Sequence, residues 1–229
     1  MVNNAPSLHA PATAALFDRQ LLRRARGRAV PHINQSRFLI ARAGEELIAR
    51  LGDIKRRFPV AAHIGARQSP DFYSRAFQAA GAETALILDL CPALLHQHAG
   101  LRVCADEEFL PFKTGAFDLI LSSFDLHTTN DLPGVLLQIR KALKPDGLFL
   151  AAMAGGETLH ELRQSLMAAE IATRGGASPR VLPFADKPQM GSLLQRAGFA
   201  LPVVDSEIVT VTYASIFPLM HDLRLMGEG

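Results

Sequence analysis

The chain has 229 residues, of which 48% are hydrophobic and 20% charged, and its formal net charge is +2. This size and composition predict a globular α/β domain with a buried core, and the small net charge gives no general case for a nucleic-acid partner. Cys91 and Cys104 have neither metal-ligand spacing nor a disulfide pattern, which favours a reducing compartment and predicts no metal site. No apolar run approaches the roughly 20 residues that span a bilayer.

The N-terminal region divides into two parts. Residues 1–15 are small, polar and proline-containing, which predicts disorder. Residues 16–58 form a predicted helical segment that begins with FDRQLLRRARGR, where five arginines fall within ten positions. This basic run is compatible with a transit peptide, with a solvated helix face, or with peripheral contact to an anionic membrane or partner surface. A second helix, predicted from Arg37 to Phe58, precedes the main domain at 59–229.

The next segments alternate between predicted strands and helices. Apolar runs starting at Val60, Thr84, Val103 and Phe117 are each followed by polar or small residues, as in buried parallel strands. In open α/β sheets, ligands bind beyond the carboxyl ends of such strands. The candidate ligand-binding residues at these ends are Gly65, Asp89, Asp106, Glu107 and Ser123.

The second half continues the pattern. Asp131 caps a predicted helix, Gly147 is predicted to supply the positive φ of a turn, and a strand follows from Leu148. GGETLHELR, at 155–163, opens another helix. Residues 201–213 alternate like a sixth strand, and a helix is predicted from Ala214 to Met226.

Several motifs together resemble a known superfamily. The acid-Leu-Pro-Phe-x₄-Phe-Asp pattern within 103–131 resembles the class I S-adenosylmethionine methyltransferases, and the motifs DEEFLPF, FDLILSS, LH with NDLP, LKPDG and GGETLHELR resemble a narrower group among them. The similarity is closer to a family of respiratory complex I assembly factors that are mitochondrial arginine hydroxylases, and their bacterial relatives. The biotin-pathway malonyl carrier-protein methyltransferases are more distant. The resemblance implies a Rossmann-like α/β fold with three α-β-α layers, a mostly parallel sheet, and S-adenosylmethionine as cofactor.

The resemblance also assigns roles to residues. Asp89, 24 positions after Gly65, is expected to accept hydrogen bonds from ribose hydroxyls, although it also suits a helix cap. Asp106 is expected at the adenine amino group. His127 and Asp125 are candidates for a general base or substrate-orienting pair. Three residues of the GGETLHELR segment are substrate-side candidates: Glu157, His160 and Arg163.

The loop after the first strand departs from the superfamily pattern of an acid followed by Gly-x-Gly-x-Gly. His63 replaces the acid, and Arg67 and Ser69 replace the second and third glycines. Side chains at these positions are expected either to obstruct the cofactor or, in the case of Arg67, to recruit another anionic ligand.

The sequence therefore leaves alternatives for function and assembly. One is a methyltransferase acting on a small acid, a quinone precursor or a protein-borne carboxylate. Another is a complex I assembly protein acting by arginine hydroxylation or by binding alone, and a third is a paralogue without catalysis. The location expected is the bacterial cytoplasm, including its membrane surface, or the mitochondrial matrix in a eukaryote. Because nothing after Tyr213 reads as a strand, the final antiparallel strand of the fold is predicted to be missing, which exposes a sheet edge and favours homo-oligomers.

Overall fold

A computed structural model describes residues 15–176, 178, 180–181 and 183–228. Residues 1–14 of the predicted disordered region lie outside this range. Within the described ranges, no helix has the length and apolarity needed to cross a bilayer.

A parallel sheet of five strands forms the centre of the described fold. Its spatial order is β3-β2-β1-β4-β5, and every neighbouring pair is parallel. The strands are β1 (Val60–Ile64), β2 (Thr84–Asp89), β3 (Leu101–Cys104), β4 (Phe117–Ser123) and β5 (Leu143–Ala152). The helices are α1 (Arg19–Ala29), α2 (Ile33–Ser36), α3 (Phe38–Gly52), α4 (Pro70–Ala80), α5 (Pro92–Leu95), α6 (Leu132–Ala142), α7 (His160–Arg174), α8 (Lys187–Arg196) and α9 (Ile216–Met226).

Both faces of the sheet are covered, which explains why its central strands are almost wholly apolar. Ala61 and Leu119 point into a core shared with α3 and α4, whereas their neighbours Ala62 and Ile120 point into a second core under α6. Successive strand residues alternate between faces, so two cores require apolar residues at every position. The predicted three-layer α-β-α architecture is confirmed.

Three predicted elements differ from the structure. Helix α3 ends at Gly52, short of the predicted Phe58. The positive φ predicted for Gly147 belongs instead to Asp146, at 59°, and both residues lie within β5, which begins at Leu143 rather than at the predicted Leu148. Residues 201–213 do not join the sheet, because no described strand pairs with them.

Helices from the two halves of the chain meet beside the carboxyl ends of the strands. Helix α9 packs against α1 and α2. Asp222 of α9 accepts hydrogen bonds from the Ser36 hydroxyl at 2.6 Å and the Tyr213 hydroxyl at 2.8 Å. A Cβ on Gly227 would lie 3.1 Å from the Cα of Arg26. This close approach brings side chains of both helices into the region where a ligand of this sheet would bind.

Candidate functional site

The loop that follows β1 is held against the end of β4. Gly65 has φ +99°, and a Cβ added there would lie 1.7 Å from a carboxylate oxygen of Asp125. Phe124, directly after β4, adopts a left-handed conformation with φ 65°. This conformation is strained for residues other than glycine, and strained residues of this kind occur mainly at functional sites. Position 65 therefore requires glycine for two reasons. Its positive φ is strained for other residues, and the Asp125 side chain leaves no room for a Cβ.

His63, which replaces the expected acid, belongs to a buried hydrogen-bond network. Its Nδ1 lies 2.8 Å from the Gly65 carbonyl and its Nε2 lies 3.0 Å from the Ser123 hydroxyl. A neutral ring that donates from Nδ1 and accepts at Nε2 satisfies both contacts. Burial lowers the pKa of His63 to about 4, so the ring is neutral at physiological pH. Ser123 also accepts a hydrogen bond from the Gln68 side chain at 3.2 Å, so its hydroxyl is already used inside the protein.

The two residues that replace glycines do not strain the loop. Ser69 has φ −71° and its hydroxyl caps α4 by accepting from the Phe72 amide. The Arg67 side chain is buried and donates to the carbonyl oxygens of Phe124 and Met226. Arg67 also pairs with Asp125 and Glu228, so it is bound by groups of this chain. The loop is consequently a closed structure that links β1, β4 and α9.

Asp89, at the end of β2, stabilises the two turns beside it. Its carboxylate accepts from the Ala66 amide at 2.8 Å and from the Cys91 amide at 2.7 Å, which fixes both the Gly65 loop and the turn into α5. It is 1% exposed, and an Arg26 nitrogen lies 3.6 Å away. The same carboxylate stands at the end of β2, where a ribose is expected.

Two arginines of α1 cover the acids at the ends of β2 and β3. Arg19 donates to both carboxylate oxygens of Asp106, at 3.0 and 2.7 Å, and lies 2.8 Å from Glu107. Arg26 is fully buried, 3.4 Å from Glu107 and 3.2 Å from Asp125. The acids predicted to bind a nucleoside are thus already paired with guanidinium groups.

In this cluster the carboxylates outnumber the fully buried guanidinium groups. Four carboxylates face the buried guanidinium groups of Arg26 and Arg67; they belong to Asp89, Glu107, Asp125 and Glu228. Neither carboxylate oxygen of Asp125 accepts a hydrogen bond of good geometry from a described residue. Burial outweighs the two nearby arginines and raises the pKa of Asp125 to about 6. Both oxygens of Asp125 thus have unused acceptor capacity, beside guanidinium nitrogens of Arg26 and Arg67 that also lack a hydrogen-bond partner in the described chain.

His127 is buried next to this acid cluster. Its Nε2 lies 3.2 Å from a carboxylate oxygen of Glu228, and its ring packs edge-on against Phe124 and Phe184. Burial favours a raised pKa for Glu228, but Arg67 and His127 outweigh it and hold the pKa below the ordinary range. By the described contacts, His127 is thus connected to Asp125 only through Glu228 and Arg67, and the predicted role of His127 and Asp125 as a general base or substrate-orienting pair stays a prediction.

The three substrate-side candidates lie in a different environment. Glu157 and His160 are exposed. Arg163 is half-buried and donates to the carbonyl oxygens of Gly156 and Thr158, both at 3.3 Å, so it holds the GGETLHELR loop together. No described contact joins these three side chains to His127 or Asp125. Their predicted contact with a substrate stays a prediction.

Sequence reasoning missed four residues of the site, namely Arg19, Arg26, Arg67 as a structural cation, and Glu228. A signal for the first two was present, because Arg19 and Arg26 are seven positions apart and therefore share one helix face. Glu228 had no local signal, since only the docking of α9 brings it to His127.

Known proteins resemble this chain in sequence and in fold. The sequence profile described as "Methyltransferase domain" matches residues 68–151. The human protein named arginine-hydroxylase NDUFAF5, mitochondrial, is 41% identical over 96% of this chain and 65% of its own length. The zebrafish protein of that name is 39% identical over 93% of this chain and 68% of its own length. The chain belongs to the arginine-hydroxylase NDUFAF5 family.

Members of the NDUFAF5 family are longer than this chain, which spans about two thirds of the relatives that it matches. A malonyl-[acyl-carrier protein] O-methyltransferase of Halorhodospira halophila is more distant, at 38% identity over 62% of this chain and 49% of its own length. A solved complex of the Haloferax volcanii Trm112 methyltransferase activator contains a similar fold, with a TM-score of 0.61 and 16% identity over 86% of each chain. The predicted fold and family resemblance are confirmed.

Proposed function

We propose that this chain is an S-adenosylmethionine-binding enzyme that modifies an arginine side chain of a protein, by hydroxylation as in the name of its relatives. The observation that carries the proposal is the acid cluster, which already holds two guanidinium groups away from water. Planar guanidinium groups and carboxylates form the strongest charge-assisted hydrogen bonds in proteins. Carboxylates that bind the Arg26 guanidinium in this way can also bind the guanidinium of an arginine in a partner protein.

The residues at the strand ends are proposed to bind S-adenosylmethionine after the side chains of Arg26 and Arg19 move away from the carboxylates that they contact. Ribose hydroxyls and the adenine amino group are donors, and the carboxylates of Asp89, Asp106 and Glu107 are acceptors at adjacent strand ends. Gly65 supplies the loop without a Cβ, and Ser123 supports it through His63. When bound, S-adenosylmethionine supplies an electrophilic methyl group next to a sulfonium cation.

On the substrate side, Asp125 and Glu228 are the proposed acceptors for an arginine guanidinium. His127 orients Glu228 through the contact at 3.2 Å. Glu157, His160 and Arg163 are proposed to contact the peptide around that arginine. The partner proposed from the family resemblance is a subunit of respiratory complex I. The proposed location is the cytoplasm of a bacterium, or the mitochondrial matrix in a eukaryote; the names of the relatives carry the word mitochondrial.

Calorimetric titration with S-adenosylmethionine and its demethylated product tests the cofactor proposal. Saturable binding is expected, and Asp89→Asn is expected to weaken it at least about tenfold, which corresponds to about 1.4 kcal/mol. Asp71→Asn, on the exposed surface of α4, is the matched control and should bind like the wild type. No binding at millimolar ligand, or equal affinity in Asp89→Asn, would contradict the proposal.

Methyl transfer is the second candidate activity, favoured by the match of residues 68–151 to the methyltransferase domain family. Mass spectrometry of an arginine-containing complex I subunit, incubated with the enzyme, S-adenosylmethionine, dioxygen and a two-electron reductant, separates the two activities. In hydroxylation one oxygen atom of dioxygen enters a C–H bond of arginine, and the reductant with two protons carries the other oxygen away as water. Hydroxylation adds the mass of one oxygen atom to an arginine-containing peptide, whereas methylation adds one CH₂. Modification that survives Asp125→Asn and Glu228→Gln together would contradict the proposed guanidinium site.

A further inference from the structure

A cavity of about 590 Å³ lies between helices α1 and α5, and none of the carboxylates of the acid cluster lines it. Its wall combines nitrogen donors, from Arg23, Arg24 and His96, with the apolar side chains of Pro92 and Ala93. Small-molecule sites in proteins have volumes of about 300–1,000 Å³ and a similar mixture of apolar surface and a few polar groups. The cavity therefore has the size and lining of a site for a small organic molecule.

Arg23 and Arg24 bring two positive charges to this cavity without a counter-charge. Unlike Arg19 and Arg26 of the same helix, they form no ion pair or side-chain hydrogen bond with a described residue. No aspartate or glutamate lines the cavity, and the residues outside the described ranges include neither amino acid. The charge of the cavity consequently favours an anionic ligand.

Gly27, which also lines the cavity, leaves room for a ligand. It lies inside α1, where a glycine costs about 1 kcal/mol relative to alanine. A Cβ at this position would meet only the Cys91 Sγ among the described atoms, at 3.8 Å, which is an ordinary contact, and the φ of Gly27 is not left-handed. Neither packing nor backbone conformation therefore requires glycine here. The missing side chain adds free volume between α1 and Cys91.

We propose that this cavity binds the phosphate group of an organic phosphate monoester. Arg23 and Arg24 are the phosphate-binding residues, because guanidinium groups pair with phosphate through two parallel hydrogen bonds and two of them match a dianion. The imidazole of His96 supplies a further N–H donor. The volume and the apolar surface of Pro92 and Ala93 favour an organic phosphate over inorganic phosphate alone. A soluble metabolite and the headgroup of phosphatidic acid present the same phosphate chemistry.

Two probes test the site and separate these sources. Calorimetric titration of the full chain with glycerol 3-phosphate measures binding of a soluble monoester. Cosedimentation with phosphatidylcholine vesicles, with and without phosphatidic acid, measures binding to a lipid headgroup. We expect saturable binding of at least one probe. Binding of glycerol 3-phosphate supports a soluble ligand, and binding only to vesicles that contain phosphatidic acid supports a lipid. Absence of binding to both probes at millimolar phosphate would overturn the proposal.

Three variants distinguish the cavity from the general basicity of α1. Arg24→Gln removes one charge from the cavity, and Gly27→Leu fills it while keeping both arginines; each is expected to weaken binding at least about tenfold. Arg28→Gln is the matched control, because it removes the same charge from an exposed position of α1 that does not line the cavity. This control should bind like the wild type.

Circular dichroism checks that the three variants are folded. An equal loss of binding in Arg28→Gln would overturn the proposal, since it would show attraction to the charge of the helix in general. Full affinity in Gly27→Leu would overturn it as well, because the ligand would then lie outside the cavity. None of these outcomes bears on the binding of S-adenosylmethionine or on the arginine-modifying activity.

Discussion

At the scale of single residues, the contact between Gly65 and Asp125 leaves no room for a larger side chain at position 65. Gly65→Ala is expected to destabilise the fold by about 3 kcal/mol or more, because it combines an unfavourable φ with a buried clash against a carboxylate. Chemical denaturation measures the loss.

Gly100 provides a control for that substitution. It also has a positive φ, at +84°, but a Cβ there meets no atom within 4 Å. Gly100→Ala should therefore cost only the conformational part, about 1 kcal/mol. Equal losses of unfolding free energy at positions 65 and 100 would contradict this prediction, because they would show that the Asp125 side chain moves aside for the added methyl group.

His63 and Asp125 predict opposite dependences of stability on pH. The pKa of His63 is lowered in the folded state from 6.5 to about 4, so its contribution is lost as pH falls between these values, by about 1.4 kcal/mol per pH unit. The pKa of Asp125 is raised from 3.8 to about 6, so its contribution grows as pH falls through that window. The two effects largely offset each other in the wild type.

Variants separate these two groups. Relative to the wild type, His63→Gln should gain stability as pH falls from 6.5 to 4, whereas Asp125→Asn should lose it from 6 to 4. Urea unfolding at several pH values measures both slopes. His160→Gln, an exposed histidine, should follow the wild type. Parallel curves for all four proteins would contradict the assigned pKa shifts.

At the scale of elements, α1 has two sets of arginines, one that contacts the acid cluster and one that is exposed. Arg19 and Arg26 bind the acid cluster, while Arg23, Arg24 and Arg28 are exposed. The sequence interpretations of a solvated face or a basic contact surface therefore remain open only for the exposed set. The buried set is part of the protein's own interior.

Arg26→Gln is expected to lower the free energy of unfolding by about 3 kcal/mol at pH 8, because it removes a buried positive charge that faces Asp89, Glu107 and Asp125. The loss should shrink below pH 6, where Asp125 is protonated. Thermal unfolding measures the change. Arg28→Gln, an exposed neighbour on the same helix, should have an effect below about 0.5 kcal/mol.

At the scale of the whole molecule, Asp222 ties the C-terminal helix to the N-terminal part of the chain. Asp222→Ala removes its hydrogen bonds from Ser36 and Tyr213 and is expected to cost about 2–3 kcal/mol. Hydrogen exchange should show that α1 and α9 lose protection together, since the two helices pack on each other. Asp205→Ala, which breaks only an exposed ion pair, should cost under about 1 kcal/mol. Loss of protection in α9 alone would contradict this coupling.

The sequence predicted the sheet well because local signals define it. Apolar runs with polar ends located the strands, and their carboxyl ends located Asp89, Asp106 and Glu107. It failed where structure depends on distant partners. Residues 201–213 have the composition of a strand, yet a strand requires a neighbour, and the described chain provides none. The pairing of α1 with the acids was equally hidden, because a basic helix does not indicate which carboxylates it will meet.

The packing of α1 against α9 also has a consequence for how the protein is made. Helix α1 leaves the ribosome early, but α9, which covers it, is synthesised only after the whole sheet. Contacts across such a sequence separation form slowly. The last part of the site to assemble during synthesis is therefore the contact of α9 with α1, because Glu228 can reach His127 only after every strand has been made.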